Sequence, residues 1–223
     1  MTRLTRALLG AGAAAGPAFL TTALIAGALR SDYQPLRHPV SSLALGPGGR
    51  VQVTNFLVTG GLSLGGAIGL ARSSGAQCCW LTREPRAVPI LIGSAAVGLI
   101  GAGFFATDPV SGYPPGTPDQ ATENTRVGWL HQIFSLPVFL ALPAAAAVEA
   151  RHAWRRGDRV WSLYSAKSAA VSLLMFGAAS AGFGQQPRLV DSAGLCQRIA
   201  VGTVFGWLTA LSVRRLRQTR SLS

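Results

Sequence analysis

Charge is scarce and lopsided in this sequence. Of 223 residues 13% are charged, only 8 are acidic, and lysine occurs once, as Lys167. Soluble domains carry about 25% charged residues, so a water-exposed globular enzyme is the first class to be excluded. The formal charge is +12, but at 49% apolar content there is no long basic face of the kind nucleic acid requires. Cysteine is limited to Cys78, Cys79 and Cys196, with no spacing that reads as a disulfide framework or a metal site. The histidines are His38, His131 and His152, too few and too scattered for a zinc or haem centre, so neither a metal nor a cofactor is expected. No nucleophile elbow supports a serine hydrolase.

What the chain does have is long apolar runs. Six of them, at about 7–29, 52–71, 87–107, 127–148, 162–182 and 198–213, approach the roughly 20 residues needed to cross hydrocarbon. Turn-forming Pro, Gly and charge clusters separate them. In lipid the backbone must satisfy its own hydrogen bonds, and barrel strands of about 10 residues would alternate in polarity. The expected fold is therefore all-α: a polytopic six-transmembrane-helix bundle forming one membrane domain over 1–213, with a basic tail at 214–223.

Arginine asymmetry sets the expected orientation, because cationic loops stay cytoplasmic. With both termini inside, the inner side holds Arg3, Arg6, Arg72, Arg83, Arg86, Arg151, Arg155, Arg156, Arg159, Arg214, Arg215, Arg217 and Arg220. The outer side holds only Arg30, Arg37, Arg50, Arg126, Arg188 and Arg198, together with most of the acids. The first apolar run is longer than a signal core of 7–15 residues, so it reads as a membrane helix rather than a cleaved signal. Cys78 and Cys79 fall on the inner side and Cys196 near the outer face, which rules out a bridge between them. The inner arginines can also meet anionic lipid head groups.

Small-residue steps at Gly61, Gly65 and Gly69, at Gly202 and Gly206, and at Gly93, Gly98, Gly101 and Gly103 point to close helix packing in a compact bundle, with a dimer seam as the alternative. Pro17, Pro137 and Pro143 should bend their helices, whereas Pro89 falls in a first turn.

The segments outside the helices carry a recognisable succession. His38-Pro39-Val40-Ser41-Ser42-Leu43, then Gly103-Phe104-Phe105-Ala106-Thr107-Asp108-Pro109 running into Gly112-Tyr113-Pro114-Pro115-Gly116-Thr117-Pro118, then Gly128-Trp129-Leu130-His131 and Gly194-Leu195-Cys196-Gln197-Arg198 resemble the DUF998 family of bacterial and archaeal integral membrane proteins. The resemblance covers nearly the whole chain. It implies a multi-helix membrane protein and carries over no reaction and no catalytic residue.

Topology groups the candidate chemistry at the outer end. Asp108 ends the third run there, and Asn55 and His131 lie about one turn inside the second and fourth, roughly 5–6 Å deep. Arg37, His38, Ser41, Ser42, Gln185, Gln186, Arg188, Gln197 and Arg198 approach from the same side. Asp108 at a helix C-terminus and His131 in a first turn would each resist charging, which suits a proton donor and acceptor. The structural alternative is that Asp108-Pro109 merely stops its helix and pairs with Arg126 or Arg37, while His131 bonds a backbone carbonyl. Tyr113 and its neighbouring prolines would form a stiff outer cap or a rigid linker.

The leading expectation is an outer polar pocket that binds or acid/base-processes a lipid-like amphiphile. Asp108 and His131 would be the catalytic pair, and Arg37, His38, Ser42, Asn55, Tyr113, Gln186, Arg188 and Arg198 the ligand-binding residues. A small-molecule transporter, its gating aided by Pro137 and Pro143, and a noncatalytic membrane scaffold or sensor are the alternatives. Beyond the bilayer itself, the partners expected are an amphiphilic small molecule and anionic lipids at the inner arginines.

Overall fold

A computed structural model describes residues 2–74, 86–120 and 124–218. Among the described residues six α-helices follow one another: α1 (Arg3–Ala28), α2 (Gly49–Ser74), α3 (Ala87–Phe104), α4 (Arg126–Arg155), α5 (Arg159–Phe183) and α6 (Ala193–Gln218). Short 3-10 turns at Val40–Ala44 and Val190–Ser192 precede α2 and α6. All six helices are long and apolar enough to cross a membrane. Each packs antiparallel against its chain neighbour and α6 returns to α1, so the six close into a ring. One end carries the long connections 29–48 and 105–125 and the shorter 184–192; it is called the loop end. The terminal end carries the start of α1, the end of α6 and the α4–α5 turn. Cys78, Cys79, Arg83, Glu123 and Arg220 lie outside the described residues.

Helix boundaries differ from those read off hydropathy, for physical reasons. α3 stops at Phe104 because Phe105 is extended, so Asp108 stands in a loop rather than on a helix end. α4 runs on to Arg155: the backbone keeps its ladder past the apolar stretch until Gly157, whose φ of +80° reverses the chain. Asp158 then caps α5, its carboxylate accepting from the Trp161 N–H at 3.2 Å. α6 also continues to Gln218, so Arg214, Arg215 and Arg217 sit on its last turns, where cations favour the negative helix end.

Close backbone approach is centred on a residue pair that the small-residue pattern did not single out. A Cβ on Gly66 would lie 2.7 Å from the Gly12 Cα, and one on Gly12 would also meet the Ser212 hydroxyl at 2.8 Å, so α1, α2 and α6 meet here. Gly69 packs on Leu8 and Leu9, and Gly98 on the Phe134 carbonyl, as small-residue packing in membranes requires. Gly61 and Gly206 have open space around them and make no such contact. The letters Gly-x-Ser-x-Gly occur at Gly61, Ser63 and Gly65, but Ser63 is buried within α2, where no strand-to-helix elbow exists.

At the terminal end a charged cluster is sealed inside. Glu149 of α4 is 0% exposed, and its Oε1 accepts from Trp161 Nε1 at 2.9 Å, Arg156 at 3.3 Å and Arg215 at 3.5 Å. One carboxylate thus ties α4 to α5 and α6. Arg214 pairs with Asp158 beside it. The sequence offers this side as arginines with few chemical partners, because Glu149 sits at the fringe of an apolar run.

Candidate functional site

Three connections are stitched together across the loop end. Arg37 donates to Asp119 and to Asp191, both at 2.8 Å, so one guanidinium joins the first, third and fifth connections. Gln185 adds a bond to the Asp119 carbonyl at 2.9 Å, and Arg30 donates to the Tyr113 hydroxyl at 2.9 Å. Below them Tyr33, His38 and Tyr113 pack ring against ring, with centroids 5.1–5.5 Å apart. His38 Nδ1 accepts from the Gln34 N–H at 3.0 Å. Burial, reinforced by the Arg37 charge, holds its imidazole below the ordinary histidine value, against an opposing hydrogen bond to the Ser111 backbone. Burial likewise pushes the Tyr33 phenol up, while Arg198, bonded to its hydroxyl, opposes the shift. Arg198 also donates to the Pro35 carbonyl, to the His38 carbonyl at 3.0 Å and to Gly194 at 2.9 Å.

Asp108 belongs to the start of α4. Its two oxygens accept from the Thr125 N–H at 2.9 Å and the Thr125 hydroxyl at 2.7 Å, and that hydroxyl in turn accepts from the Gly128 N–H at 2.9 Å. The carboxylate is a second layer of the α4 N-cap, next to the positive end of that helix and not at the negative end of α3 as the sequence implied. A Cβ on Gly128 would lie 2.0 Å from an Asp108 oxygen, so the approach depends on that glycine. One turn further along, buried His131 directs Nδ1 at the Ala102 carbonyl, 3.0 Å away, and the Phe105 carbonyl, 2.8 Å away. Both partners are acceptors, so Nδ1 carries the proton, and among the described residues Nε2 has no hydrogen-bond partner.

Asp108 and His131 line a single cavity of about 560 Å³. Its mouth is polar, with Ser41, Gln120, Asn124, Gln132, Ser135, Ser180 and Gln197; its depth is apolar, with Phe19, Phe56, Leu99, Val138 and Val201. α4 and α5 are joined by the short turn at the terminal end and meet again where Phe139 stacks on Phe176 at 4.5 Å. On the loop-end side of that stack the cavity is lined by all six helices, and its α4 and α5 residues include Leu136, 43% exposed, and exposed Ser180. Among the described residues the lining holds one acid and no cation.

The structure therefore brings together Asp108 and His131 and separates them from the other expected ligand-binding residues. Arg37, His38, Tyr113 and Arg198 are engaged in the cap described above. Ser42 is fully buried, its hydroxyl without a hydrogen-bond partner among the described residues. Asn55 donates to the Phe19 carbonyl at 3.1 Å and accepts from Thr59, tying α2 to α1. Gln186 and Arg188 are exposed on the α5–α6 connection and are not among the cavity residues. Gln132, Ser135 and Ser180 were missed; their one sequence signal is polar side chains within roughly two and a half turns of the loop ends of α4 and α5.

These features define an α-helical multi-pass membrane protein, with six helices among the described residues long and apolar enough to cross a bilayer and an amphipathic cavity at one end. The chain belongs to the DUF998 family, described as a protein of unknown function, which matches residues 13–214. No curated protein and no solved structure matches the chain.

Proposed function

We propose that this protein binds a lipid-like amphiphile in the loop-end cavity, with the polar head at the mouth and the tail along the aromatic depth. The observation that carries the reading is the combination of one cavity, a polar rim, an apolar floor and exposed lining residues, Leu136 of α4 and Ser180 of α5. The lining supports an uncharged or cationic head group over an anionic one, since Asp108 is its charged member and the arginines of the cap already have partners. His131 is suited to accept a proton at Nε2 from a bound hydroxyl or ammonium, because its other nitrogen is held as a donor. Asp108, shared with the cap, fixes the start of α4 and hence the place of His131. The excess of arginine near the terminal end supports a cytoplasmic location for both termini, an outward-facing cavity and contact of those arginines with anionic lipid.

Native mass spectrometry of protein extracted in mild detergent tests the reading. Wild-type protein should retain an amphiphile that Ser135→Trp, which fills the cavity, loses while melting at a similar temperature. Identical small-molecule content in the two folded proteins would remove the cavity from consideration.

A further inference from the structure

A second concavity lies away from the cavity, on the outer surface between α1 and α2. It encloses about 390 Å³ and is lined by Ala18 and Thr22 of α1 and by Arg50, Val51, Thr54, Asn55 and Val58 of α2. Arg50 stands one residue inside the loop end of α2, and Val58 lies eight residues further, roughly 12 Å deeper at about 1.5 Å per residue. The groove therefore runs from head-group level into hydrocarbon. Among the described residues Arg50 has no ion-pair or side-chain hydrogen-bond partner, and neither has the Thr22 or Thr54 hydroxyl; Arg126 and Arg188 share that freedom, whereas Arg30, Arg37 and Arg198 are bonded. Hydroxyls at a lipid-facing surface cost free energy unless an acceptor reaches them, and a guanidinium fork matches phosphate. Thr54 is one turn below Arg50 on the same face, and exposed Val51 and Val58 flank the groove.

We propose that this groove holds the phosphodiester and one acyl chain of an anionic phospholipid. Arg50 takes the phosphate, the threonine hydroxyls donate to the glycerol-ester oxygens, and the chain lies along Ala18 and Val58. The site is independent of the amphiphile cavity, since the two share no lining residue.

The test uses the full chain in mild detergent, incubated with vesicles of phosphatidylglycerol and phosphatidylcholine and read by native mass spectrometry. Arg50→Gln should lower retained phosphatidylglycerol about tenfold, the worth of one charge-assisted bond. Arg126→Gln, another exposed loop-end cation, should leave it unchanged. Val58→Trp should displace the lipid, and Thr54→Val should weaken retention if Val58→Trp fails to fold. Equal losses in the Arg50 and Arg126 variants would reduce the effect to general surface charge and overturn the proposal. Equal retention of the two lipids by the wild type, or full retention by folded Val58→Trp, would overturn it as well.

Discussion

The Asp108 carboxylate crosses 17 residues to bond both the N–H and the hydroxyl of Thr125, so the loop leaving α3 holds the first turn of α4. That geometry needs Gly128 bare. Gly128→Ala is expected to destabilise the protein by about 1–3 kcal/mol through overpacking. In an Asp108→Ala background, already weakened by about 1–2 kcal/mol for loss of the cap, the same change should cost little. Thermal melts of the four proteins in one detergent decide it; additive losses would disprove direct contact.

His131 should be locked as the Nδ1–H tautomer by the Ala102 and Phe105 carbonyls. Nitrogen NMR on labelled protein would show a protonated Nδ1 and a bare Nε2. His131→Phe leaves two buried carbonyls without their donor, at an expected cost of about 1–3 kcal/mol. Observation of the opposite tautomer would remove the imidazole as a proton acceptor in the cavity.

Acid should loosen the loop end. Burial and Arg37 hold His38 below its ordinary value in the folded protein, so between that lowered value and about 6.5 the unfolded chain binds more protons. Stability contributed by neutral His38 is complete above about pH 6.5 and is lost as pH falls toward the folded value. Melting temperatures from pH 7.5 down to 5.5 should fall more steeply for the wild type than for His38→Asn, whose side-chain oxygen can still accept from Gln34. Parallel slopes would show that His38 plays no part.

Arg37 should matter modestly and in a salt-dependent way. Its two acids are 63% and 82% exposed in their side chains, so each pair is screened by water. Arg37→Gln is expected to cost about 0.5–1.5 kcal/mol in low salt and clearly less in 1 M salt. A cost that ignores salt would point instead to packing of its aliphatic stem.

The largest loss should come from Glu149. Removing a fully buried carboxylate leaves Arg215, itself 7% exposed, beside an uncharged neighbour. Glu149→Ala should cost about 3–5 kcal/mol. Glu149→Gln, which keeps an acceptor for the Trp161 indole, should cost less. If both variants melt with the wild type, the cluster is not what joins α4 to α5 and α6.

Much of this architecture was readable from residue order alone, because bilayer thickness and backbone bonding leave few options for six apolar runs. Depth was readable only roughly: α2 and α4 begin earlier than hydropathy suggests, so Asn55 and His131 lie about one and a half turns inside their helices rather than one, and both are buried. Partnership was not. Arg37, His38, Tyr113 and Arg198 share a level with Asp108, but which of them face a cavity and which face each other depends on helix rotation and on turns such as those at Ser111 and Gln185, both at positive φ. Glu149 escaped attention because a single acid at the edge of an apolar run barely changes its mean hydropathy. The amphipathic cavity is lined by residues from all six helices and from the loop-end connections, a convergence that no local pattern encodes.

That stack has a thermodynamic consequence. Because exposed cavity residues lie on the loop-end side of that stack, the proposed guest would enter sideways from the hydrocarbon sheet and need never dissolve in water. Its occupancy would then follow its mole fraction among the surrounding lipids, so that dilution of the bulk aqueous phase would leave the complex intact, whereas dilution with foreign lipid or detergent would strip it.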